Sequence, residues 1–212
     1  MAIPINIEDL LNKRKIESNR IEFKKGWNPD KIYRTICAFA NDFDNIGGGY
    51  IVVGIEEEER TGIAKRPVTG VPIEALNDIQ KDMVGYNNKI EPYYMPRIDV
   101  QEVDGKSVLV IWAPAGVNRP YNVRERVTAK QSPSKWYIRS GTSTIEAKGE
   151  VLDELREMAN RTPFDERGNE RIEISDISPA LVLDYLQTVG SRLANDFESK
   201  PFVELSLIHI SE

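Results

Sequence analysis

One cysteine and one histidine in 212 residues leave this sequence without the groups that much soluble chemistry needs. Cys37 has no second thiol to pair with, which excludes an internal disulfide. Zinc fingers, thiol proteases and histidine-based triads likewise lack their ligands or bases. No apolar stretch approaches the roughly 20 residues of a membrane span, and Met1 to Asn6 carry neither the basic start nor the apolar run of a secretory signal. A cytoplasmic protein with no membrane partner is expected. Net positive charge is also missing. The formal charge of −6 rules out a protein basic all over, but not one with a local basic face.

What is present is ordinary for a globular chain: 40% apolar and 29% charged residues. The length allows one full domain and part of another. Cys37 lies in the apolar run from Ile36 to Ala40, where a thiol packs as a small hydrophobe and stays inert. Charge is unevenly distributed. Between Lys13 and Arg34 stand eight basic residues against Glu17, Glu22 and Asp30, whereas acids prevail from Glu146 onward. The basic segment is a candidate phosphate-facing surface, and a solvated face of mixed charge is the plainer alternative.

Ile7 to Leu11 reads as a short helix with Asn6 as N-cap. Arg20 to Lys24 alternates as a half-buried strand, with Ile21 and Phe23 inward and Glu22 and Lys24 on the other face. Asn28 and Pro29 open a helix whose Ile32, Ile36, Phe39 and Phe43 recur at helical spacing. After Gly47-Gly48-Gly49, residues 50–55 form a continuous apolar strand of the doubly buried kind, followed by the acidic run Glu56 to Glu59. Neither Lys-Ser nor Lys-Thr follows the glycines, and a strand rather than a helix comes next, so this turn is not a Walker A loop. A helix over 74–84 precedes strands at 98–100 and 108–112 joined by the turn Asp104-Gly105. Another strand, 136–139, runs into Ser140-Gly141-Thr142-Ser143, read as a flexible turn ahead of a helix that could cradle a phosphate, or as a helix cap at Ser143 boxed by Glu146. Val151, Leu152, Leu155, Met158 and Ala159 mark the core side of the helix after it. The fold class is α+β or mixed α/β, with helices flanking a mixed β-sheet that contains one hairpin.

The domain limits follow from the same pattern. Residues 1–160 form the main domain, 161–178 a linker, and 179–204 the start of a truncated second domain, whose helix carries an uncovered apolar face. Residues 205–212 change character abruptly and are expected to be a non-native tail, so His209 receives no role.

Three segments in order carry a resemblance: Glu17-Ser18-Asn19-Arg20-Ile21-Glu22-Phe23-Lys24; Ala38-Phe39-Ala40-Asn41 leading through the glycines into residues 50–57; and Tyr137-Ile138-Arg139-Ser140-Gly141-Thr142. Over residues 14–145 the chain resembles the AlbA_2 domain of bacterial transcriptional regulators and of the Schlafen core. The resemblance implies nucleic-acid binding, to DNA or RNA, and in some Schlafen proteins a metal-dependent RNA cleavage. Carried over by position, the nuclease carboxylates fall on Glu17, Glu22 and either Glu56 or Glu57, which would hold Mg²⁺ or Mn²⁺. Relatives that cleave have Asp after the second strand where this chain has Glu, which favours binding over cleavage. ATP binding would belong to a missing C-terminal region. The resemblance also admits a homodimer, which nothing in the periodicity demonstrates.

The phosphate-binding candidates are Arg20, Lys24, Lys25, Lys31, Arg34 and Arg139, with the hydroxyls of Ser140 and Thr142. Trp27 and Tyr33 are interleaved and either stack on bases or pack internally. Three readings stand: a binding module of a transcriptional regulator, a metal-dependent endoribonuclease, and a protein-interaction module.

Overall fold

The computed structural model describes residues 4–12, 18–58, 61–158, 178–195 and 197. The chain divides into two compact units, residues 1–160 and 161–212. Glu17, most of the expected linker and the expected tail lie outside the described residues.

Helix α1 (Ile7–Leu11) is capped by Asn6, whose side chain accepts from the Glu8 amide. A 3₁₀ turn (Ser18–Arg20) leads into strand β1 (Ile21–Lys24), whose alternate burial matches the alternation of its sequence. Helix α2 (Pro29–Asn41) begins as expected, with the Asn28 side chain accepting from the Lys31 amide and Pro29 in the first turn. Strand β2 (Gly49–Val53) is buried throughout because it lies between β1, to which it runs parallel, and strand β5 (Lys106–Ala113). Strand β4 (Arg97–Val103) completes this sheet in the order β1-β2-β5-β4, and Asp104 and Gly105, both at positive φ, make its hairpin with β5.

The sheet has a core on each face. On one side Ile51, Val53, Leu109 and Ile111 meet Ile32, Ile36 and Phe39 of α2 and Leu76, Ile79 and Met83 of helix α3 (Ile73–Asn87). On the other, Ile21, Phe23, Val52 and Val110 meet Leu10 and Leu11 of α1. Each fully buried side chain of this size contributes about 1.5–3 kcal/mol through removal from water.

A second sheet accompanies the first, and periodicity had not separated it. It comprises β3 (Ile90–Glu91), β6 (Asn122–Arg124), β7 (Ser134–Ser140) and β8 (Ser143–Glu146), in the order β3-β6-β7-β8. This corrects the reading of Ser143 as a helix cap: Ser143 pairs with Ser140 and Glu146 with Tyr137, so the segment returns as a hairpin strand. The β-branched Thr144 and Ile145 suit that pairing. Helix α4 (Glu150–Met158) starts only after it and packs Leu155 with Ile138 and Ala147. Buried Asn41 ties this sheet to α2: its amide nitrogen donates to the Tyr121 and Tyr137 carbonyls, and its oxygen accepts from the Tyr121 amide.

In the second unit, helix α5 (Pro179–Thr188) exposes Leu181 and Tyr185. Among the described residues, no helix is long and apolar enough to cross a membrane.

Candidate nucleic-acid interface

A cleft of about 330 Å³ opens where β1, α2 and the β7–β8 turn meet. Each wall follows from local sequence. The alternation of β1 puts Glu22 and Lys24 on the face opposite Ile21 and Phe23. On α2, Lys31, Arg34 and Thr35 share one helical face through spacings of three and four. Gly141, at a φ of +56°, turns the chain so that Thr142, Ser143 and Thr144 form the third wall. Among the described residues the lining is thus three cations, one carboxylate and four hydroxyls, with no aromatic ring. Cations and hydroxyl donors without a stacking surface suit phosphate oxygens.

Arg139 ties the cleft together from below. Its side chain is 7% exposed and donates to the Asn19 carbonyl at 3.2 Å, Glu22 Oε2 at 3.0 Å, Thr144 Oγ1 at 2.9 Å and the Thr142 carbonyl at 2.6 Å, while its guanidinium covers the Phe39 ring. Arg139 therefore holds the hairpin turn against β1. Glu22 also pairs with Lys24, so its charge is compensated from two sides. Thr35 and Thr144 complete the join, hydroxyl to hydroxyl, at 3.1 Å.

Arg20 is placed differently. Its Nε donates to the Gly48 carbonyl at 2.7 Å and its Nη2 to the Gly47 carbonyl at 3.1 Å, which fixes the glycine turn. The amides of that turn are taken as well. Asp42, itself at positive φ, accepts from Ile46, Gly47 and Gly48 at 3.0–3.1 Å. A side-chain carboxylate occupies the place a phosphate would need, in keeping with the rejection of a nucleotide loop here. Gly48 has no room for a side chain, since a Cβ would lie 2.1 Å from the Ala113 carbonyl oxygen.

The remaining sequence candidates are dispersed. Lys25 pairs with Glu56 at 3.2 Å on the surface, and Glu57 bridges to Ala64. Glu22 lies opposite Ile51, and Glu56 follows five residues later, beyond the turn at Gly54. Among the described residues, no group of three carboxylate, histidine or cysteine side chains is placed to hold a metal ion. Ser140 is exposed at the end of β7. Tyr33 is fully buried and donates to Asn87 Oδ1 at 2.8 Å, so of its two readings packing holds; Trp27 packs at the edge of the same core. Sequence reasoning missed Thr35 and Thr144. Thr35 stands four residues after Lys31, a spacing that points to the same face, but nothing local signals Thr144 once its segment is read as a helix start.

A family model described as Schlafen, AlbA_2 matches residues 17–148. Among solved structures, the chain is similar to the N-terminal domain of an ATP-dependent DNA helicase RecG-related protein from Nitrosomonas europaea: 26% identity, a TM-score of 0.41, and coverage of 60% of this chain and 78% of that one. It is also similar to the DIP2311 protein from Corynebacterium diphtheriae, with 22% identity, a TM-score of 0.45, and coverage of 78% of this chain but 28% of that one. No curated protein matches.

Proposed function

From the premise that the chain belongs to the Schlafen AlbA_2 family, we propose that residues 17–148 act as a nucleic-acid-binding module whose cleft takes the sugar-phosphate backbone. The observation that carries this reading is the convergence of Lys24, Lys31 and Arg34 with the hydroxyls of Thr35, Thr142, Ser143 and Thr144 in one cleft whose described lining has no aromatic ring. Lys31 is exposed and makes no ion pair with a described residue, so it is available to a phosphate. Contacts of this type neutralise phosphates and release counterions, which makes binding strong at low salt and weakly dependent on sequence. Within the family, such a module would serve a bacterial transcriptional regulator acting in the cytoplasm.

Fluorescence anisotropy of the full chain with labelled single-stranded RNA, tRNA and duplex DNA, at about 50 and 200 mM salt, tests this. The expected result is salt-sensitive binding with intact nucleic acid, weakened about tenfold by Lys31→Ala with Arg34→Ala. Preference for duplex DNA would support the regulatory role. Cleavage in the presence of Mn²⁺ that Glu22→Gln abolishes would replace the reading with an endoribonuclease. Absence of binding to every probe at low salt would leave a protein-interaction module.

A further inference from the structure

The loop between β6 and β7, residues 125–133, lies against the first turn of α2 and is firmly fixed there. Asp30 accepts from the Thr128 amide at 3.0 Å and from its hydroxyl at 3.1 Å. Arg34 Nε donates to the Glu125 carbonyl at 3.0 Å, and Lys89 donates to that of Val127, whose side chain is fully buried. Within the loop, the Arg126 amide donates to Ser132 Oγ at 3.0 Å and the Glu125 amide to the Pro133 carbonyl at 2.8 Å.

These contacts engage the acids at this end of the cleft. Asp30 is held by Thr128, and Glu125 is paired with Lys135 at 2.9 Å, a hydrogen bond that draws its carboxyl below the ordinary range. Cations remain. Arg126 and Lys130 are both exposed, and neither side chain makes an ion pair with a described residue. Arg34 joins the two regions, because it lines the cleft and also holds the loop backbone. Arg34 thus connects the cleft cations Lys24 and Lys31 with the loop that carries Arg126 and Lys130, and residues 125–133 contain no aromatic side chain.

We propose that a polynucleotide strand seated in the cleft continues over the β6–β7 loop, where Arg126 and Lys130 form a second pair of phosphate contacts. The ligand class is then a continuous strand several nucleotides long, held by its backbone, rather than a mononucleotide or a single phosphate. This rests on the reading of the cleft given above.

The test compares the full chain with two variants, Arg126→Glu with Lys130→Glu, and Lys31→Glu, on labelled single-stranded homopolymers of about 4 and about 12 nucleotides across a salt series. Unvaried protein should bind the longer strand at least tenfold more tightly. The loop variant should lose most of that gain, and its salt slope on the longer strand should fall by about 1.4, or about 0.7 per single-strand phosphate contact. Lys31→Glu should weaken binding at both lengths. Thermal melts of both variants, together with Arg126→Ala and Lys130→Ala, report on folding; these side chains are exposed, so the melts should stay within about 2 °C of the unvaried chain. If the loop variant keeps the full length dependence while Lys31→Glu weakens binding, the loop extension is overturned and the cleft reading stands. If Lys31→Glu binds both lengths like the unvaried chain, the cleft reading fails and the extension fails with it.

Discussion

Arg139 lies 3.0 Å from Glu22, and the two residues, far apart in sequence, join the turn of the β7–β8 hairpin to the first strand of the domain. Replacing Arg139 with Met keeps the volume but leaves the shielded Glu22 with Lys24 alone and unties the Asn19 and Thr142 carbonyls. A loss of about 3 kcal/mol in unfolding free energy is expected, measured by urea denaturation, and nucleic-acid binding should weaken as the hairpin wall loosens. Glu22→Gln keeps the acceptor and removes the one negative charge among the described residues that line the cleft. At a separation of about 8 Å in water this amounts to about 0.5 kcal/mol per phosphate, so binding should tighten about twofold. Weakened binding by Glu22→Gln would instead point to a direct role for that carboxylate.

Asp42 fills the amide nest of the glycine turn. Asp42→Ala strands the buried Gly48 amide and leaves those of Ile46 and Gly47 to water, and should cost about 2 kcal/mol in a denaturant melt. Asn, which tolerates the left-handed backbone and keeps one acceptor, should cost less than Ala. Equal losses would mean that the charge, rather than the acceptor geometry, holds the turn.

Cys37 is completely buried and burial pushes its thiol up to about 12. At pH 8 almost no thiolate forms, and no reagent reaches the sulfur without opening of the core. Labelling by a thiol-specific disulfide reagent should be at least 100-fold slower in the native chain than in urea, and Arg139→Met should speed it by the factor by which it raises the population of the open chain.

Burial also pushes the phenols of Tyr33 and Tyr94 well above their ordinary value of about 10. The folded state thus keeps protons that the unfolded state releases. The stability from these groups is complete below about pH 10 and declines above it, by roughly 1.4 kcal/mol per pH unit for each phenol. Urea melts at pH 8, 10 and 11 check the sign. Tyr33→Phe should flatten part of this decline and cost about 1 kcal/mol at neutral pH through the lost bonds to Asn87 and Met83.

Much of the first sheet was legible because its signals are local. The alternation of Ile21 and Phe23, the Asn28-Pro29 helix start, the apolar run of β2 and the Asp104-Gly105 turn each determine their element within a few residues. Of the second sheet only β7 was legible, as the strand read at 136–139, because β3 and β6 are too short to show a period. The Ser143 to Glu146 spacing fits a capping box as well as a strand, and only pairing with β7 distinguishes them. The candidate site divides in the same way. Lys24, Lys31, Arg34 and Thr142 come together in the cleft. Arg20 looks like a phosphate ligand in sequence, but its guanidinium is committed to the carbonyls of Gly47 and Gly48, and a residue's partners 27 and 28 positions away cannot be read from its neighbours. Thr144 was hidden by the same ambiguity that hid its strand.

The cleft draws one wall from residues 22–35 and another from residues 142–144, so it cannot exist in a partly synthesised chain. The basic stretch leaves the ribosome before the hairpin and for a time carries its charge without the wall that shapes it. Any attraction of that stretch to a polyanion in the interval is unspecific and easily displaced by salt. The shaped cleft forms only when β7 and β8 emerge and Arg139 reaches back to β1.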